Sequence, residues 1–384
     1  MYNQDASRLS RPLRMAPARR ALIVAMTLLV ACATTPAAAE APPARAQDDG
    51  TAERARAIDA MLQRYLKPGG PGAVVLVTDH GTPVFRKAYG LAKVSENVPL
   101  DPAMSLRVGS ITKQFTAAAI MLLAEQGKLA LSDKVGQYLP AFAGADSPIT
   151  IEHLLTHTSG IRNYTELPHF AERMNTDVSV EEGIAFFKDA KPEFIQGDRF
   201  AYSNSNYFLL GAIIERVSGM PYADFMARNV FEPLQLTHTR IDTDAAPADV
   251  IGYTQARRKV TVPPDYSMRW PYAAGALRTS VDDLALWDQA TVHGKLLKPA
   301  SWQRMATSYR LHGIRATGYG YGLFIRSMRG KAAIEHGGDI GGFSADMVRF
   351  PQEEIFIAVL ANNDAGDPAP DQLAAKIAAL VVPR

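Results

Sequence analysis

Val108-Gly109-Ser110-Ile111-Thr112-Lys113 is the stretch around which the rest of the sequence falls into place. A loop closing at Val108-Gly109 leads into a helix whose apolar residues Ile111, Phe115, Ala118, Ala119 and Leu122 recur with helical period. Glu125-Gln126-Gly127 supplies its stop, with glycine just past the end. Residues three apart share a helix face, so the Lys113 amine comes within reach of the Ser110 hydroxyl. The first-turn amides also point toward developing negative charge. A serine and a lysine so placed are a nucleophile and its base, the equipment of acyl transfer. A lysine of ordinary pKa near 10.4 falls short of that task at neutral pH by roughly 4.6 kcal/mol. Lys113 can therefore act as a base only where burial or neighbouring positive character lowers its pKa. Taken alone, the same residues also read as a helix-capping serine followed by a surface lysine.

The chain has 384 residues, 47% of them hydrophobic, enough for one large core or two joined ones. Its N-terminus is different in kind. Arg8, Arg11, Arg14, Arg19 and Arg20 precede the apolar run Ala21 to Ala33, with small residues after it. This is a signal-peptide pattern over residues 1–31, too short to span a bilayer. Met15-Ala-Pro-Ala-Arg-Arg20 offers an alternative start with a more usual basic segment. The single cysteine, Cys32, ends Leu29-Val30-Ala31-Cys32, which resembles the bacterial lipobox whose cysteine is lipidated. The competing reading is a plain secretory peptide cut after Ala37-Ala38-Ala39. Either route leads to the cell envelope or periplasm, and one cysteine allows no intrachain disulfide.

The formal charge of +2 misstates the exported part. Residues 1–31 carry five arginines against Asp5, a net +4, which leaves about −2 for residues 32–384. There is no basic excess for nucleic acid. Membrane attachment is expected only through a lipid on Cys32. Residues 32–50, rich in Ala and Pro, read as a flexible tether.

Beyond it, Ala52 to Tyr65 has helical period, and Gly72 to Thr78 and Pro83 to Tyr89 form a β-hairpin turning at Asp79-His80-Gly81. From about Leu131 to Ala300, helical patterns alternate with Pro- and Gly-bearing loops, most clearly at Ile151 to Thr156 and Asn206 to Val217. Strands return at Lys331 to His336, Phe343 to Phe350 and Glu354 to Ala361, followed by a helix over Asp371 to Val381. Strands at both ends with helices between predict an α/β domain, residues 51–130 and 300–384, interrupted by a helical domain over 131–299, with the active site between them.

Two further elements bear on Ser110. Tyr202-Ser203-Asn204 lies in a loop just before a helix. A tyrosine over a serine can relay a proton, and an asparagine amide offers both a donor and an acceptor. By itself the tripeptide also reads as a capping loop with a buried tyrosine. His336-Gly337-Gly338-Asp339 ends a predicted strand, where glycines let the backbone approach a ligand closely. By itself it also reads as a bulge or tight turn.

Ser110-x-x-Lys113, Tyr202-Ser-Asn204 and His336-Gly-Gly338, in that order, resemble the three active-site motifs of the serine hydrolases related to class C β-lactamases and penicillin-binding D,D-carboxypeptidases. Leu106 to Thr116, Leu154 to Ile161, Phe200 to Tyr207 and Ala273 to Ser280 are similar to that family as well, so the likeness covers most of residues 55 to 364. It implies a β-lactamase-like α/β fold, an antiparallel sheet flanked by helices with an inserted all-helical domain. It also implies that Ser110 attacks a carbonyl, Lys113 and Tyr202 share the proton transfers, Asn204 positions the substrate, and the amides of Ser110 and Asp339 bind the oxyanion. No cofactor is implied.

One departure concerns substrate. Histidine stands at 336 where β-lactamases and D,D-peptidases usually carry lysine. His336 is expected to be only partly charged near neutrality, and Asp339 would repel a substrate carboxylate. The histidine variant resembles the branch of esterases and D-aminopeptidase-like amidases, so a small ester, amide or peptide is the expected substrate. A D,D-carboxypeptidase or β-lactamase, and an inactive binding lipoprotein, are the alternatives. His153 and His157 lie four apart on a predicted helix, as zinc ligands would, but without a His-Glu-x-x-His arrangement or a third ligand, and they read as structural. No Gly-x-Ser-x-Gly elbow or phosphate loop is present.

Overall fold

The computed structural model describes residues 44–142, 148–242, 249–256, 259–264 and 266–383. Cys32 and the basic and apolar N-terminal run lie outside them. Helix α1 (Ala44–Leu62) leads to the hairpin of β1 (Ala73–Asp79) and β2 (Thr82–Tyr89), and a short strand, β3 (Leu106–Arg107), delivers the chain to helix α2 (Thr112–Glu125). The middle of the chain contributes α3 (Ile151–Leu155), α4 (Asn204–Ser218), β4 (Arg240–Ile241), β5 (Leu277–Thr279) and α5 (Val281–Val292). Strands β6 (Phe324–Met328), β7 (Lys331–Ile340), β8 (Phe343–Phe350) and β9 (Ile355–Ala361) follow, and helix α6 (Pro370–Val381) comes last.

Both ends of the chain build one six-stranded sheet in the order β6-β7-β8-β9-β1-β2, with every neighbouring pair antiparallel. Ile355-Phe-Ile-Ala-Val-Leu-Ala361 is buried at every position, because β9 sits inside the sheet with helices over both faces. An uninterrupted apolar run is what such a strand requires. On one face Ile58 and Leu62 of α1 and Leu373, Ala374 and Ile377 of α6 pack against Val75, Val77, Ile357 and Val359. On the other, Phe115 and Ala119 of α2 and Leu284 and Trp287 of α5 pack against Val74, Leu76, Ala358 and Met347.

α2 is enclosed almost all round, from Thr112 to Met121 and at Leu123. A helix apolar on every side belongs inside a core. Each large apolar side chain so buried contributes about 1.5–3 kcal/mol. That burial carries Lys113 inside with it. The middle of the chain is mainly helical, but β3, β5 and β4 form a separate three-stranded ribbon in that order. The ribbon holds the entrance to α2 in place, since Val108 N–H donates to Leu277 O at 3.1 Å.

Candidate active site

Ser110 sits in a single 3-10 turn, Gly109 to Ile111, directly before α2. Thr112 ties that turn down, donating from its hydroxyl to Gly109 O at 2.6 Å and accepting from Leu277 N at 3.0 Å. Strand β7 lies backbone to backbone against it. A Cβ on Gly338 would stand 2.1 Å from Val108 O and 2.5 Å from Ser110 N, and one on Gly109, at φ +49°, would stand 2.8 Å from Asp339 N. No side chain fits at either place, which is why both positions are glycine. The packing brings the backbone amides of Ser110 and Asp339 to one junction. β7 runs on to Ile340 instead of stopping near His336, so the His-Gly-Gly-Asp segment is part of the strand and not its end. The glycines allow close approach and do not break the pairing, which continues through Ile340 opposite Phe343.

Lys113, in the first turn of α2, is fully enclosed. Its Nζ donates to Ser110 Oγ at 2.9 Å, to Asn204 Oδ1 at 2.8 Å and to the Ala274 carbonyl at 2.8 Å. It also stands 4.8 Å from the centre of the Tyr202 ring and 5.7 Å from that of Tyr207. Burial pushes its pKa well below the ordinary lysine value. Partners and desolvation oppose each other here. The three acceptors and two ring faces favour the ammonium, but none is a carboxylate, and the loss of water outweighs them.

Tyr202 is partly buried and its hydroxyl is sealed from solvent. The hydroxyl faces Ser110 without the geometry of a hydrogen bond, and no other group among the described residues takes its proton. Burial raises the phenol above its usual pKa, with Ser110 drawing it partly back and Asp339 adding to the rise. The ring is therefore a neutral phenol at neutral pH, able to pass a proton but not standing as a phenolate. Asn204 opens α4, its N–H held by Asn163 Oδ1 at 3.1 Å and its own Oδ1 on Lys113. Ser110 itself remains partly open to solvent.

His336 departs from expectation. Its Nδ1–H donates to the Gly337 carbonyl at 2.6 Å and its Nε2 accepts from the Tyr319 hydroxyl at 3.0 Å. Burial, with Lys113 adding, takes its pKa down to about 3. The ring is neutral throughout the physiological range, not partly charged, because it is enclosed among Tyr202, Tyr319 and Phe324. Asp339 is exposed and its Oδ1 accepts from Ser344 Oγ at 2.6 Å. Gly337 lies opposite Asp346 on β8.

The two spaced histidines do not share a helix face. α3 ends at Leu155 and His157 stands in the left-handed region at φ 55°. His153 accepts from Thr150 N in the helix cap, while His157 turns into the core beside Tyr202. Tyr319, which holds His336, carries little signal of its own in the sequence. Its one local cue is the glycine-flanked run Gly318-Tyr-Gly-Tyr-Gly322.

A serine, a buried lysine, a tyrosine and an asparagine thus converge beside a glycine-bearing strand. The family model described as Beta-lactamase matches residues 55–381. The chain belongs to the β-lactamase family. It has the β-lactamase-like fold. Protein flp of Staphylococcus aureus (strain MRSA252) is 30% identical over 319 residues, covering 79% of this chain and 62% of that protein, so this chain spans less than two thirds of its length. The octameric penicillin-binding protein homologue from Pyrococcus abyssi is 28% identical with a TM-score of 0.70, over 88% of this chain and 76% of that one. A D-stereospecific amidohydrolase from Streptomyces sp. is 27% identical with a TM-score of 0.68, over 86% of this chain and 97% of the other. In this member of the β-lactamase family His336 is a neutral, enclosed ring.

Proposed function

We propose that the protein forms an acyl-enzyme on Ser110 and hydrolyses a small ester or an amide, D-amino-acid amides included. The observation that carries the reading is a fully buried Lys113, without a carboxylate partner among the described residues, 2.9 Å from the Ser110 hydroxyl. The neutral amine takes the Ser110 proton as Oγ bonds to the substrate carbonyl carbon. The resulting oxyanion is held by the amides of Ser110 and Asp339, each such donor worth on the order of a hundredfold or more. As the bond to the leaving group breaks, Lys113 returns the proton to it through Tyr202. Water then attacks the acyl carbon by the same route reversed, and Ser110 is regenerated. Asn204, fixed by Lys113 and Asn163, faces the substrate amide or ester.

The neutral His336 supports an uncharged acyl donor, since no fixed cation stands there for a substrate carboxylate. The likeness to the D-stereospecific amidohydrolase supports amides. The likeness to a penicillin-binding homologue supports a second reading, a D,D-peptidase or β-lactamase. Fluorophosphonate, fluorescent penicillin and p-nitrophenyl acetate, each with wild type and Ser110→Ala, separate the two. Ester turnover and fluorophosphonate labelling that vanish in Ser110→Ala support the hydrolase. Penicillin trapping with little ester turnover supports the peptidase, and no Ser110-dependent adduct of any kind leaves an inactive binding protein.

We also propose export, with lipidation of Cys32, from the basic segment, apolar run and Leu-Val-Ala-Cys pattern. Labelled palmitate incorporated by wild type and not by Cys32→Ser is the expected result. Equal incorporation, or none, removes the lipid anchor.

A further inference from the structure

We infer that His157 is the positioning residue of the second motif, its imidazole setting the angle at which Tyr202 faces Ser110. The inference rests on the reading of Ser110, Lys113 and Tyr202 as the acylation centre. Three hydrogen bonds bracket the Tyr202 loop on this one residue. The His157 carbonyl accepts from Ala201 N at 2.9 Å, and Nδ1 accepts from Ser203 N at 3.2 Å and from Asn206 Nδ2 at 3.2 Å. Ala201 and Ser203 flank Tyr202, and the Tyr202 ring lies on the imidazole with centres 4.4 Å apart.

The direction of these bonds is set by neighbours. Asn206 gives its Oδ1 to the Ser159 hydroxyl as acceptor at 2.6 Å and turns its NH2 end to His157. A backbone N–H can only donate. Nδ1 is thus an acceptor twice over, and the ring proton belongs on Nε2. That Nε2 is sealed from solvent with no hydrogen-bond partner among the described residues, enclosed by the rings of Tyr207 and Tyr319. A buried donor left without an acceptor is costly. It is retained because the other tautomer would forfeit both bonds that hold the Tyr202 loop. Burial, with Lys113 and His336 nearby, also keeps the imidazole from becoming a cation, in line with its acceptor role. A residue present only to fill the core would need none of this polarity.

The test compares full-length wild type, His157→Leu, His157→Asn and Ser110→Ala on p-nitrophenyl acetate, with melting temperature as the check of folding. Asparagine can place an oxygen near the position of Nδ1, and leucine fills the space without an acceptor. The expected result is a kcat for His157→Leu at least 30-fold below wild type with KM within threefold, and recovery of at least tenfold of that loss in His157→Asn. A folded leucine variant within threefold of wild type in kcat, equal values for the two variants, or a loss confined to KM overturns the inference. The second readout is the 15N signature of His157 in the labelled wild-type protein. It is expected to show a bare Nδ1 and a protonated Nε2 at neutral pH, and an Nδ1–H tautomer or an imidazolium overturns the inference even if both variants fail to fold. Activity that survives in Ser110→Ala refutes the acylation centre instead, which the 15N signature of His157 does not depend on.

Discussion

Tyr319 donates its hydroxyl proton to Nε2 of His336 across 3.0 Å, a direction fixed by the Gly337 carbonyl, which can only accept and so places the ring proton on Nδ1. The histidine of the third motif is held as a neutral ring with both nitrogens committed. Its folded pKa of about 3 lies below the ordinary 6.5, so it gains a proton only as the pH falls through about 3. The ratio of kcat/KM for a carboxylate-bearing ester to that for a matched neutral ester should therefore stay within threefold from pH 8 to pH 5. A steep rise in that ratio toward pH 5 would mean that His336 charges in the working range. In His336→Lys the ratio should increase severalfold, because a permanent cation then stands beside the acyl donor.

As the proposed base, Lys113 is expected to set the acid limb of activity. A buried amine with a lowered pKa is the active base when neutral, so kcat/KM falls as pH drops through its folded pKa. The limb should fit one ionisation with a midpoint well below 10.5, and a pH profile on a neutral ester measures it. Lys113→Arg keeps a charge that does not titrate in this range and should lower kcat by about 10²–10⁴. A limb centred near the free lysine value would refute the assignment.

How far the sequence reveals this molecule depends on which signals are local. The hairpin from 73 to 89, the strand Phe343–Phe350 and helix α2 show their period in a few consecutive residues, and their bounds agree closely with the structure. Ser110 and Lys113 meet because both stand at one helix entrance. The charge of His336 is not local, since its enclosure depends on Tyr202 arriving from one distant segment and Tyr319 and Phe324 from another. Gly337-Gly338 reads as a strand end by composition, whereas the small residue at 338 serves the contact with Val108 and Ser110. His153 and His157 look like a helical pair because nothing in Leu155-Thr156-His157 announces that the helix has already stopped.

Phe115 tests the core that carries Lys113. Its ring stacks on Trp287 with centres 3.9 Å apart and meets Phe231 edge-on, and the Trp287 indole is fixed to Gln114 Oε1 at 2.7 Å. Phe115→Ala should cost about 3–5 kcal/mol in chemical denaturation. The Ser110 to Lys113 contact lies a turn away, so kcat should fall less than tenfold while the protein remains folded. A loss of stability below 1 kcal/mol would show that α2 is not anchored by this stack.

Gly338 is the sharpest single test of how the strand serves the proposed nucleophile. A methyl there would stand 2.1 Å from Val108 O and 2.5 Å from Ser110 N, so either β7 or the turn holding Ser110 must give way. Both are backbone, and no side chain can swing aside to relieve the contact. Displacement on the order of 1 Å at a reacting group can cost about a hundredfold in rate, and here it would part the Ser110 and Asp339 amides as well. Gly338→Ala should therefore lower kcat/KM by at least a hundredfold, with fluorophosphonate labelling of Ser110 slowed in parallel. Gly70→Ala, where a Cβ meets nothing within 4 Å, is the control and should leave both within twofold of wild type. Near-wild-type activity in Gly338→Ala would show that the close approach of β7 to Ser110 is not needed for catalysis.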